Sequence, residues 1–171
     1  MRVLLILVLT YLLLGLESPL LHQLNLSLYA PDLAILVVIW LAVNIGGLTG
    51  ALVAFAIGLM KDGFALGSPV GMFTEISVLV YYLFRFLAHK VTLRGVVSQM
   101  ILAFLGVLVA GVLFLLLTMI FDRGFDTYGS ILSMIVPQAL ISAPFAPMVF
   151  WLCGFADTVF SRRRKDNVFF P

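Results

Sequence analysis

Charge is scarce in this chain, and its distribution matters more than its amount. Only 11% of the 171 residues are charged, and the stretches 33–60, 95–121 and 127–156 carry no charged side chain at all. An uncharged apolar run of more than about 18 residues is long enough to cross a bilayer as a helix, and a soluble core has no use for several. With 63% of residues hydrophobic, the chain lacks the polar shell that a water-soluble domain of this size requires. The expectation is an all-α integral membrane protein, a single polytopic domain over 1–171.

Other shortages exclude whole classes of function. One cysteine, Cys153, rules out an intramolecular disulfide and reads as a small packing residue in an apolar segment beside Trp151 and Leu152. There are two histidines, His22 and His89, which fall on opposite sides of the membrane in the topology derived below, so a metal site built on both is not expected. The chain has no His-Glu-x-x-His, no Gly-x-Ser-x-Gly and no glycine loop ending in Lys-Ser or Lys-Thr. No enzyme, cofactor or metal is therefore expected. A net charge of +2 is too small to suggest nucleic-acid binding. The tail 161–171 is too short for a catalytic or receptor head; its run Arg162, Arg163, Arg164 and Lys165 reads as a cytoplasmic anchor beside anionic lipid.

What is present is a succession of apolar runs separated by turn signals. They place spans near 3–20, 32–45, 47–61, 70–88, 96–121 and 132–158. The first resembles a signal peptide, but Glu17-Ser18-Pro19 offers no small-x-small cleavage site, so a retained span is expected. Spans two and three share one uncharged tract, 33–60, which forms either two short crossings or one long helix. Asn44, Gly46 and Gly47 argue for a break. Pro137, Pro144 and Pro147 predict a kink or interfacial turn ahead of the final helix.

Basic residues orient the six-span arrangement. With the N-terminus inside, Arg2, Arg85, Lys90, Arg94 and the four tail residues are cytoplasmic, leaving Lys61 and Arg123 outside, eight against two. Merging spans two and three makes it seven against three. Both termini are thus expected in the cytoplasm, with Arg85 snorkelling to that surface. Glu17, Asp32, Asp62, Glu75, Asp122 and Asp126 then gather toward the outer side.

Gly46, Gly50, Ala54 and Gly58 recur every fourth residue and form a small-residue helix face, a signal for close packing against a helix of this chain or of another. Among the acids, Asp32 follows Pro31 at a helix start, where the dipole favours a negative charge. Asp62-Gly63 reads as a helix end with a capping acid. Glu75 lies inside an apolar run and needs a partner such as Lys61 or a hydroxyl. Asp157 reads as a local ion pair with Arg162 or an exposed helix end. Glu17, Asp32, Asp62 and Glu75 are the candidates for an outer polar or partner-binding surface.

The run Ala30-Pro31-Asp32-Leu33, then Gly50-Ala51, Ala54-Phe55, Gly58-Leu59 and Asp62, then Pro69-x-Gly71, resembles the bacterial rod shape-determining protein MreD family. Ala143-Pro144-Phe145-Ala146-Pro147 with Phe150-Trp151 looks like the family's closing span. Glu75 departs from the family pattern. The resemblance implies a non-enzymatic inner-membrane scaffold of the cell-elongation complex, acting in lateral peptidoglycan synthesis. Its implied partners are the lipid bilayer, an MreC-like membrane-anchored periplasmic protein, the MreB filament and the peptidoglycan synthases. The family is also similar in fold to the six-helix substrate-binding subunits of energy-coupling-factor transporters. That implies an alternative, a small-molecule binder with Glu17, Asp62 and Glu75 lining an outward pocket and Tyr29, Phe64, Phe125 and Tyr128 near it. A reporter fused to the N-terminus is expected to read out in the cytoplasm; readout on the far side refutes the topology.

Overall fold

A computed structural model describes residues 2–23, 31–65, 71–88, 95–121 and 128–166, without the side chains of 2, 16–23, 88, 121, 128, 130–131 and 159–166. Among the described residues seven helices follow one another: α1 (Arg2–Gln23), α2 (Leu33–Asn44), α3 (Gly47–Phe64), α4 (Met72–Ala88), α5 (Val96–Phe121), α6 (Tyr128–Ser142) and α7 (Ala146–Asp166). A single 3-10 turn, Ala143–Phe145, joins α6 to α7, so there are six helical segments, the last one broken. No strand occurs among the described residues.

The core is built around α2. Every residue from Ala34 to Ala42 is buried, and a helix apolar on all sides is stable only when other elements enclose it. Helices α1, α3, α4, α5 and α7 do so. Twelve residues make α2 about 18 Å long, well short of the hydrocarbon thickness. Its surroundings from Ala34 to Ala42 are protein.

The uncharged tract 33–60 is not one helix. Lys61 Nζ lies 2.5 Å from Asp32 Oδ2, whereas a continuous helix would hold these residues about 44 Å apart. The chain breaks at Ile45-Gly46 and folds back. Gly47 adopts φ +78° there, a conformation that favours glycine, and Ile45 N–H closes α2 by donating to Leu41 O at 2.8 Å.

The packing of α3 on α4 follows from small residues. A Cβ on Gly58 would stand 2.4 Å from Thr74 Cα, one on Gly50 2.2 Å from Tyr81 Oη, and one on Gly46 2.2 Å from the Arg85 guanidinium. Ala54, also fully buried, completes the row. The register, Gly46 by Arg85 and Gly58 by Thr74, makes the two helices antiparallel. The neighbour of the glycine row is thus in the same chain. Helix α5 returns antiparallel to α4, with Gly106 close to Phe84 and the Phe114 ring stacked on Phe73 at 5.5 Å.

The prolines act at the α6–α7 junction. Pro144 sits in the 3-10 turn and Pro147 in the first turn of α7, where a missing N–H leaves no bond unmade; Pro137 lies within α6. Among the described residues, Gly47–Phe64, Val96–Ile120 and the broken stretch Leu132–Thr158 are long and apolar enough to cross a membrane, and Val3–Gly15 and Leu33–Asn44 are shorter apolar helices. The boundaries expected from sequence shift by a few residues. Helix α3 runs on to Phe64 and α4 begins at Met72.

Because the Gly58 contact is with backbone, no rotamer change relieves it. Gly58→Leu is expected to destabilise the fold by about 3 kcal/mol, read as a lower unfolding midpoint in detergent. Gly63→Ala, which meets nothing within 4 Å, should leave the midpoint unchanged or raise it.

Candidate functional site

Polar side chains gather at the end of the bundle where α2 begins. Asp32 is the N-cap of α2, its Oδ1 accepting from Ile35 N–H at 3.1 Å. Its Oδ2 takes the Lys61 ammonium, and its own N–H donates to Ser142 Oγ at 2.9 Å. Ser142, at the α6–α7 break, donates in turn to Gln138 O at 2.7 Å. One aspartate therefore ties α2 to α3 and to the broken segment. Lys61 also sits 4.6 Å from the centroid of the Phe73 ring, a cation–π contact that reaches α4. The pair is largely shielded, with 15% of the Lys61 side chain and 9% of the Asp32 side chain exposed. In such surroundings an unpaired charge is far more costly than a paired one.

Asp62 completes the cluster from the next position on α3. Helix α4 starts after Gly71, which holds φ +100° and has no side chain to cap with. Asp62 supplies the cap from outside: Oδ1 accepts Phe73 N–H at 3.0 Å, and Oδ2 accepts Thr74 N–H at 3.1 Å and the Thr74 hydroxyl at 2.5 Å. These N–H groups are the ones a local N-cap would serve, and the carboxylate also meets the positive end of the helix dipole. Asp62 thus does not close its own helix, which runs on to Phe64 and is capped at Ala65.

At the opposite end of the bundle, α4 secures the α2–α3 turn. Tyr81 Oη donates to Ile45 O at 2.9 Å and to Gly47 O at 3.1 Å. Arg85 donates to Ala42 O at 3.2 Å. The Arg85 guanidinium meets an end carbonyl of α2 at the same end of the bundle toward which it was expected to snorkel, because Gly46 leaves room for it and that carbonyl has no helical donor.

Other expectations are placed as follows. Glu75 does not pair with Lys61, which is held by Asp32, nor with the Thr74 hydroxyl, which is held by Asp62. It is exposed on α4, one turn from the helix start at Met72. Asp62 and Glu75 do not converge on a pocket, since Asp62 is engaged with backbone while Glu75 faces outward. Cys153 is fully buried. Asp157 is half-buried on α7, and its expected partner Arg162 lies outside the described side chains. So do Glu17, His22, Arg163, Arg164 and Lys165, although α1 includes residue 17 and α7 carries the helix through 161–166 into the basic tail. Tyr29, His89, Lys90, Arg94, Asp122, Arg123, Phe125 and Asp126 lie outside the described residues, and Tyr128 outside the described side chains. Phe64 packs its ring near Tyr11 of α1, at 5.7 Å. No group of metal-ligating side chains occurs among the described residues.

Sequence reasoning missed Tyr81, Thr74 and Ser142. The signal for Tyr81 was present: large polar side chains four apart at 81 and 85 match small residues four apart at 46 and 50.

The arrangement defines a polytopic helical membrane protein whose enclosed polar groups hold helices to one another. The family model described as rod shape-determining protein MreD matches residues 1–159, and the chain belongs to that family of rod-shape-determining membrane proteins. No curated protein and no solved structure matches the chain.

Lys61→Ala strands the buried Asp32 carboxylate and is expected to destabilise by about 3–5 kcal/mol. Asp62→Ala should cost about 1.5–3 kcal/mol through the lost charged cap. Unfolding midpoints of the purified variants in detergent measure both.

Proposed function

We propose that this chain is a non-enzymatic scaffold of the cell-elongation complex in the bacterial inner membrane, with both termini cytoplasmic. It supports lateral peptidoglycan synthesis by holding partners in a productive arrangement. Those partners are an MreC-like membrane-anchored periplasmic protein and, through the same complex, the MreB filament and the peptidoglycan synthases. The family match over residues 1–159 carries this reading. The engagement of Asp32, Lys61, Asp62, Tyr81 and Arg85 in helix-to-helix bonds supports it, since a scaffold requires a rigid body from which to present faces and loops.

A six-helix substrate-binding subunit for a vitamin-like molecule is the alternative that the fold analogy implies. It draws on Glu17, Asp62 and Glu75, and the engagement of Asp62 with the α4 N-terminus weighs against it. Purification from native membranes separates the two. Stoichiometric recovery of the MreC-like protein together with wall-synthesis enzymes is expected; a small molecule recovered in stoichiometric amount without any wall-synthesis protein defeats the scaffold reading.

A further inference from the structure

Helix α4 packs against α3, α2 and α5, and its remaining side carries Glu75, Leu79, Tyr82 and Leu83, all exposed. Their spacing of four, three and one is that of a seam that receives a second helix. Leucine and tyrosine there are ordinary for a surface covered by lipid. A glutamate is not, because acyl chains offer it no hydrogen-bond donor.

The depth of Glu75 sharpens the contrast. Phe73 stacks on Phe114, and from that level α5 continues outward with the exposed apolar residues Leu116, Met119 and Ile120, about 9 Å of helix. Helix α4 runs the other way, so Glu75 lies about 3 Å on the inward side of Phe73. The carboxylate therefore stands about 12 Å below the apolar end of α5. Among the described residues, the cation at that end of the bundle, Lys61, is held by Asp32.

We propose that the Glu75–Leu79–Tyr82–Leu83 face of α4 is the docking seam for one transmembrane helix of a different polypeptide, carrying a lysine or arginine at the depth of Glu75. A second copy of this chain does not fit. Two copies in one membrane related by a two-fold axis along its normal would set Glu75 against Glu75 at equal depth, like charge against like charge. The complementary occupant is a basic group on an apolar helix, and the ion pair sets its register along the seam.

The inference rests on the scaffold reading, and the two can fail separately. Benzoylphenylalanine is introduced at Leu79 or at Leu83 in the full chain, photolysed in native membranes, and the crosslinked peptide sequenced. The expected product is a transmembrane segment of another polypeptide with a Lys or Arg within one turn of the attachment point. Glu75→Gln should lower its yield about tenfold, Glu75→Lys should abolish it, and an acidic replacement of the partner's basic residue should restore it in the Glu75→Lys background. Glu75 is exposed, so Glu75→Gln should keep the wild-type unfolding midpoint, while Glu75→Lys, which sets a positive charge in the first turn of α4, should lower it slightly. Crosslinks to lipid alone, to a second copy of the chain, or in yield indifferent to Glu75 overturn the seam. If wall-synthesis partners still co-purify in that case, the scaffold reading stands without it. A crosslinked helix from a protein outside wall synthesis supports the seam and counts against the scaffold reading.

Discussion

The approach of α3 to α4, backbone against backbone at Gly58 and Thr74, is the constraint on which the other polar contacts depend. Only at that distance does Asp62 reach the N–H groups of Phe73 and Thr74. The same close register brings Tyr81 and Arg85 onto the turn between α2 and α3. Both ends of the helix pair are thus closed by side chains of the partner helix, which satisfy backbone groups left over at helix ends. A methyl group at position 58 would separate the helices and loosen both ends together.

The second organising element is the enclosed charge pair at the start of α2. Burying an aspartate and a lysine is unfavourable in itself, and replacing such a pair by apolar residues is often neutral or stabilising in other proteins. Here the pair does something apolar packing would not. It sets the register of a short, featureless apolar helix that could otherwise slide along its neighbours. Asp32 anchors one end of α2 to α3 and the α6–α7 break, and Arg85 meets the other end. Register specification is the best-attested use of buried polar groups, and α2, apolar on every side, is an element that needs it.

For a rod-shape-determining membrane protein these features describe a body whose interior polarity is directed inward, toward its own helices. What remains for partners is the outer surface. That surface is uneven: the exposed apolar band of α5 runs from Val96 to Ile120, about 36 Å, while that of α4 is interrupted by Glu75 after about 18 Å from Leu87. Mismatch of this kind between neighbouring faces favours association with other helices over uniform lipid contact.

Much was legible in the residues. Long uncharged runs have one stable solution, helices in lipid, so the number of helical segments and the break near Asn44 to Gly47 follow from composition and turn chemistry. The N-cap role of Asp32 is local and readable for the same reason, as is the close-packing role of the glycine row. Partner identity was not readable. Lys61 was equally available to Asp32 and to Glu75, and Asp62 read as the end of its own helix because nothing in a linear pattern reveals that Gly71 leaves the next helix uncapped. The carbonyl of α2 that Arg85 meets was not readable either, because it comes near only after two helices have folded back. The sequence by itself determined which segments are helical, because a long uncharged run and its need to satisfy its own backbone in lipid are local requirements. Only the tertiary structure decided which charge meets which, because an ion pair needs two side chains in contact, and the fold brings Lys61 Nζ to 2.5 Å from Asp32 Oδ2 although 28 residues, about 44 Å as one helix, separate them in the chain.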